Sequence, residues 1–281
     1  MMNLAIKGRI FLVGCPRSGT TLLQSLVAGH PDVASFPESN LFHCLTSPDS
    51  RRGKLGIASK GARKAFIKFL AEINQPDMTR FLPPYALSLQ QYATAFTQTL
   101  DTLALQQQKS WWLEKTPYHL RRIDIIEKFV SDPKFVHIVR NGEDVVASLY
   151  EVTHHHPDIW GGAKDIDQCL SEWRRDIHLS AHYASRGNHA IVRYEHLLQN
   201  PASVLQKVCR FIGLSYSDEL LERRSLTTNK IVKRREVWKD DVAKPIQSNH
   251  SKKFRSLFSS DEQQYILTKV SETNLDNLAF L

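Results

Sequence analysis

The sequence predicts an α/β sandwich of three layers around a central, mainly parallel sheet, and three observations predict it. Short apolar runs of strand length alternate with longer segments of helical apolar spacing. Glycine and proline punctuate the joins, as at Gly29-His30-Pro31 and Asn141-Gly142. No repeat, low-complexity linker or composition shift divides the 281 residues, so one domain over 1–281 is expected.

Taken in order, Arg9–Val13 (RIFLV) is a strand ending in Gly14. Gly19–Ala28 has helical spacing and stops at Gly29. Val33–Phe36 is a short strand-like stretch. Residues 51–64 are basic and glycine-rich without a period, which predicts a mobile loop running into a helix over Ala65–Ile73. Pro83-Pro84 breaks the chain before a helix over Leu89–Gln107. Trp111–Glu114 reads as a strand with both tryptophans in the core, and His119–Val130 as a helix. Lys134–Val139 is a strand, Glu143–Val152 and Ile166–Ser185 are helices, and His189–Arg193 is a strand. Pro201–Ile212 is a helix ended by Gly213.

Composition bounds the function. With 42% hydrophobic and 23% charged residues, the chain is neither disordered, collagen-like nor a coiled coil. No apolar run approaches the ~18 residues of a membrane span, so a soluble, cytoplasmic chain is expected. Lys and Arg number 37 against 29 Asp and Glu, a net +8 that favours anionic partners. A basic nucleic-acid-binding module is one way to use that charge. The cations are scattered, however, and no DNA- or RNA-binding motif is present, so no nucleic-acid partner is expected. The four cysteines form no C-x-x-C pair and are too sparse for a disulfide framework. His154-His155-His156 lacks a carboxylate partner, and three adjacent histidines cannot easily face one ion, so no metal site is expected.

Gly14–Thr21 (GCPRSGTT) follows a strand and opens a helix, the context of a phosphate-binding loop. Helix-start N–H groups, the permissive backbone of Gly19, the hydroxyls of Thr20 and Thr21, and the fork of Arg17 all suit an anion. The spacing is P-loop-like, matching G-x-x-x-x-G-K-S/T except that Thr20 replaces lysine. In a P-loop kinase or nucleotide hydrolase that lysine reaches the β/γ-phosphates, so its loss argues against this alternative. A second segment, Phe135–Glu151 (FVHIVRNGEDVVASLYE), repeats the plan. Arg140 sits at a strand's carboxyl end, and Ser148 lies two helical turns on, where both can share an anion.

PRSGTTLL and IVRNGEDVVASL together resemble the two cofactor motifs of sulfotransferases that use 3′-phosphoadenosine 5′-phosphosulfate (PAPS). Val192–Leu214 is similar to the segment that follows a core strand in that family. The resemblance implies that Arg17, Ser18, Gly19, Thr20, Thr21 and Leu22 hold the 5′-phosphosulfate, and that Arg140 and Ser148 hold the 3′-phosphate. It implies an aromatic near the nucleotide at Tyr194 and a tail lysine at Lys253, as in S-x-K-F/W segments. The Arg-Lys-Gly tail motif of the small-molecule cytosolic branch is missing, so the chain looks closer to the protein and carbohydrate branches. The acceptor implied is a hydroxyl of a carbohydrate, lipid, tyrosine or small alcohol, with residues 40–108 and 150–166 building its pocket.

Sulfuryl transfer needs positioning, charge stabilisation at the leaving oxygen and a base for the acceptor proton. The base expected is Glu38, in the apolar, proline-bearing SFPESNLF, with His43 and His137 as rivals. His137 lies inside a strand and reads as a core residue. Lys115 resembles the lysine of the family's K-x-P segment, placed to stabilise the bridging oxygen.

Overall fold

The computed structural model describes residues 5–46, 51–222, 252–273, 275 and 278–281. Five strands form one sheet in the order β2-β3-β1-β4-β5. They are β1 Gly8–Gly14, β2 Val33–Ser35, β3 Trp111–Lys115, β4 Pro133–Val139 and β5 His189–Arg193. Every pairing is parallel, with Leu12 opposite Lys115 on one side of β1 and Gly14 opposite Ile138 on the other. The sequence expected a mainly parallel sheet, and among the described residues it is wholly so.

Alternation along the strands makes the layers. Phe11, Val13, Trp112 and Phe135 face one side, where they pack against the Ala62–Glu72 and Leu89–Gln106 helices. Ile10, Leu12, Trp111, Leu113 and Val136 face the other, against α1 (Thr20–Val27) and the Pro201–Ile212 helix. Both tryptophans are buried, as their apolar run indicated. A third cluster joins the Gly142–His155 and Ile166–Tyr183 helices to the tail helices Lys252–Leu257 and Ser260–Ser271.

Helix ends follow local chemistry. Ser88 with Gln91 and Asp165 with Gln168 form capping boxes, and Asn141 caps the Gly142–His155 helix through the Asp144 N–H. Gly213 ends the Pro201–Ile212 helix in the left-handed region.

Three segments differ from expectation. Residues 51–64 are not a featureless loop: a short helix spans Arg51–Lys54, and the next helix starts at Ala62 rather than Ala65. Between them the backbone pairs with a distant stretch, the Ala58 N–H donating to Leu87 O (2.7 Å) and the Leu89 N–H to Gly56 O (2.8 Å). The expected helix over His119–Val130 is a 3₁₀ segment, Pro117–Arg122, followed by α-helix over Ile123–Phe129. A short helix over Tyr194–Gln199, leaving β5 directly, was not foreseen.

Candidate active site

The chain leaves β1 toward β2 on one side of the sheet and leaves its neighbour β4 toward β5 on the other, which opens a crevice at the strands' carboxyl ends. The Gly14–Thr21 loop fills it. Gly19, at φ 96°, lies against Tyr194, and a Cβ there would fall 2.3 Å from the Tyr194 ring. Arg17 also has a left-handed backbone, φ 72°, unusual for a side-chain-bearing residue. That conformation accompanies its Nε–H donating to Ser148 Oγ at 3.0 Å. Thr20, Thr21 and Leu22 occupy the buried first turn of α1. Ser18 is buried, and its Oγ has no hydrogen-bond partner among the described residues.

On the β4 side, the Arg140 guanidinium lies 4.4 Å over the Tyr194 ring and donates to Asp144 Oδ2 at 2.8 Å. Its carbonyl accepts from Trp173 Nε1 (3.1 Å), while its Nε is buried without a hydrogen-bond partner. The hydroxyl of Ser148 therefore meets Arg17 rather than Arg140, so the two motifs interlock across the crevice. Burial raises the Tyr194 phenol above its ordinary pKa. An orphaned hydroxyl on one motif and an orphaned guanidinium nitrogen on the other each fit an anionic partner.

On the β3 side, Lys115 is 1% exposed and donates from Nζ to Glu38 Oε1 and to Thr21 Oγ1 (3.3 Å for the latter). Glu38 follows β2 and is 17% exposed at its side chain. Three distant segments thus meet: the end of the phosphate loop at Thr21, the β3 terminus at Lys115 and the turn after β2 at Glu38. Gln24 of α1 braces that turn by donating to Ser35 Oγ and Phe36 O.

The rival bases lie elsewhere. His43 stacks on Tyr118 at 4.9 Å, and burial, with Arg122 nearby, lowers its pKa to about 4. His137 is wholly buried between Ser180 and His189, as a core residue, and burial lowers it to about 3. Lys253 is exposed and pairs with Glu151, one turn beyond Ser148. His154 stacks on Tyr150 and bonds to its carbonyl. Among the described residues no three His, Cys, Asp or Glu side chains converge as a metal site. All four cysteines are unpaired.

Sequence reasoning missed two buried polar groups. Glu114, wholly buried, accepts from Ser39, Thr116 and His119. Arg121 donates to Glu172 and Asp176 on the Ile166–Tyr183 helix, and burial together with Asp176 and Glu172 raises the Cys15 thiol of the phosphate loop. One signal was available: a glutamate inside the apolar run WWLEK is anomalous for a buried strand unless it is partnered.

A family model described as "Sulfotransferase family" matches residues 9–218. The chain belongs to the sulfotransferase family. Protein-tyrosine sulfotransferase 2 of Gallus gallus is 23% identical over 222 residues, 77% of this chain and 54% of the relative. Protein-tyrosine sulfotransferase 1 of Danio rerio is 23% identical over 221 residues, 77% of this chain and 56% of the relative. The chain therefore spans about half the length of these two curated relatives. In fold it is similar to the sulfotransferase domain from the curacin biosynthetic pathway, with TM-score 0.62, 20% identity and 99% and 100% of the two chains covered. A mouse sulfotransferase solved with PAP, the desulfated form of PAPS, aligns with TM-score 0.54 and 13% identity over 95% of this chain and 85% of that one. The P-loop-like α/β expectation is met by this sulfotransferase's fold.

Proposed function

We propose that this sulfotransferase moves a sulfuryl group from PAPS to an acceptor hydroxyl, with Glu38 as general base. The observation that carries the reading is the buried Lys115, joined at once to Glu38 and to Thr21 of the phosphate loop. Ser18, Thr20, Thr21 and the first N–H groups of α1 hold the 5′-phosphosulfate, with Arg17 beside them. Arg140, stacked on Tyr194, and Ser148 hold the 3′-phosphate. The donor supplies an activated sulfuryl group. Glu38 takes the acceptor's proton as the new S–O bond forms, and Lys115 neutralises charge on the bridging oxygen as the old S–O bond breaks. The products are a sulfate ester and PAP. A fixed cation at the leaving oxygen makes the transfer metal-independent in this reading.

The test is transfer of labelled sulfur from PAPS in excess chelator, beside calorimetry of PAP binding. The relatives' names make a tyrosine-bearing peptide the first acceptor to assay, followed by carbohydrate, lipid and small alcohol. Labelled product with chelator present is expected. Failure to bind PAP, or a strict magnesium requirement, overturns the proposal.

A further inference from the structure

Four consecutive amides follow Glu38, and all four N–H groups end on one buried side-chain network. Ser39 N–H donates to Glu114 Oε1 at 3.2 Å, and Asn40 N–H to Thr116 Oγ1 at 3.2 Å. Leu41 N–H donates to Ser39 Oγ at 3.3 Å, and Phe42 N–H to His119 Nε2 at 3.2 Å. Each acceptor side chain is in turn bonded to the Glu114 carboxylate. Ser39 Oγ donates to Oε1 at 2.7 Å, Thr116 Oγ1 to Oε1 at 2.6 Å, and His119 Nδ1 meets Oε2 at 2.8 Å.

The amides of Asn40, Leu41 and Phe42 open the short helix Leu41–Leu45, whose N-cap Asn40 sits in the left-handed region and offers no side-chain cap of its own. A helix start normally finds its acceptor in its own chain segment. Here the acceptors Ser39 Oγ, Thr116 Oγ1 and His119 Nε2 are gathered on Glu114 of β3, the strand whose next residue is Lys115. We infer that Glu114 is a positioning residue for sulfuryl transfer, holding the 38–42 turn so that Glu38 lies on Lys115. This rests on Glu38 being the base.

The network also fixes a proton. Because Phe42 N–H donates to Nε2, the neutral His119 ring carries its proton on Nδ1, toward Glu114. Burial raises the Glu114 pKa, but His119 nearby and the hydrogen bonds from His119, Thr116 and Ser39 outweigh it, so the carboxyl stays below its ordinary value and ionised. A carboxylate is all acceptor and serves all its donors. Glutamine at 114 cannot. With its amide toward His119, the ring must move its proton to Nε2, against the Phe42 N–H. With its amide turned the other way, it meets the Ser39 N–H, a donor that cannot rotate away. Either arrangement sets donor against donor and loosens the turn.

The test is a double-mutant cycle on the full chain, reading kcat, acceptor KM and PAP affinity. Glu114→Gln is expected to keep PAP affinity and lower kcat by about 10–10²-fold, the effect of a misplaced catalytic group. In a Glu38→Gln background the same change is expected to cost less than about twofold, because its target is already gone. Wild-type kcat in Glu114→Gln, or an equal fold loss in both backgrounds, overturns the inference. Wild-type turnover in Glu38→Gln alone is a different result: it removes the base, and this positioning role with it. If Glu114→Gln does not fold, Thr116→Val removes only the Asn40 acceptor and one donor to the carboxylate, and the same cycle applies to it.

Discussion

Glu38→Gln separates two roles that the structure joins in one residue. Glutamine keeps the shape and an oxygen for Lys115 but carries no charge and cannot take a proton at the acceptor. The pair it disturbs is nearly dry on one side, with Lys115 1% and Glu38 17% exposed. At an effective dielectric near 20, two unit charges in contact attract by about 4 kcal/mol. A retained neutral hydrogen bond returns about 1 kcal/mol, and relief of the Glu38 carboxylate's own desolvation offsets another part of the loss. The net loss of stability is therefore about 1–3 kcal/mol, a fall in Tm of roughly 2–6 °C for a chain of this length. Turnover is expected to fall further, by about 10²–10⁴, the usual contribution of a positioned base. PAP affinity stays near wild type, because the carboxyl faces Lys115 rather than the Arg17–Ser148 side of the crevice. The assays are thermal unfolding, PAP calorimetry and labelled-sulfur transfer on one preparation. A folded, PAP-binding Glu38→Gln protein with wild-type turnover refutes the assignment and leaves the Glu38–Lys115 pair as structure alone.

Arg17→Ala and Arg140→Ala are each expected to weaken PAP binding by about 1.5–3 kcal/mol, the contribution of a charge-assisted contact; unchanged calorimetric affinity in both removes the cofactor site. Gly19→Ala drives a Cβ to 2.3 Å from Tyr194 at φ 96°, so a destabilisation of about 1–3 kcal/mol and loss of PAP binding are expected; a wild-type denaturation midpoint counts against that packing. His137 and His43 are held neutral by burial, at about 3 and about 4 against an ordinary 6.5. Below pH 6.5 the unfolded chain binds protons that the fold excludes, so stability is full above 6.5 and declines as pH falls toward those values. Denaturant midpoints at pH 7 and 5 measure the decline. His137→Gln is expected to make it shallower, and an unchanged slope rejects the cause.

Local chemistry made much of the molecule legible in advance. Strand and helix identities follow from periodicity, and Gly14–Thr21 declares its phosphate-loop character because every group it uses lies within eight residues of chain. Glu38, Lys115, Arg17, Ser148 and Tyr194 could each be named from the sequence by motif, though not the way they meet. That Lys115 bridges Glu38 and Thr21 depends on β3 lying beside β1 in register, Leu12 opposite Lys115. That Ser148 takes Arg17 while Arg140 takes Asp144 depends on side-chain directions across a crevice, which no spacing encodes. The 51–64 segment pairs with residues 87–89, some thirty positions away, and His119, in the 3₁₀ segment, bonds to Glu114 and to the Phe42 amide. Sequence by itself determined which residues stand as candidates for the chemistry, because charge, hydroxyls and backbone freedom are properties of single residues and short runs. Only the tertiary structure decided their partners, because hydrogen bonds and ion pairs act over about 3 Å, and parallel crossovers bring such distances about between residues far apart in the chain.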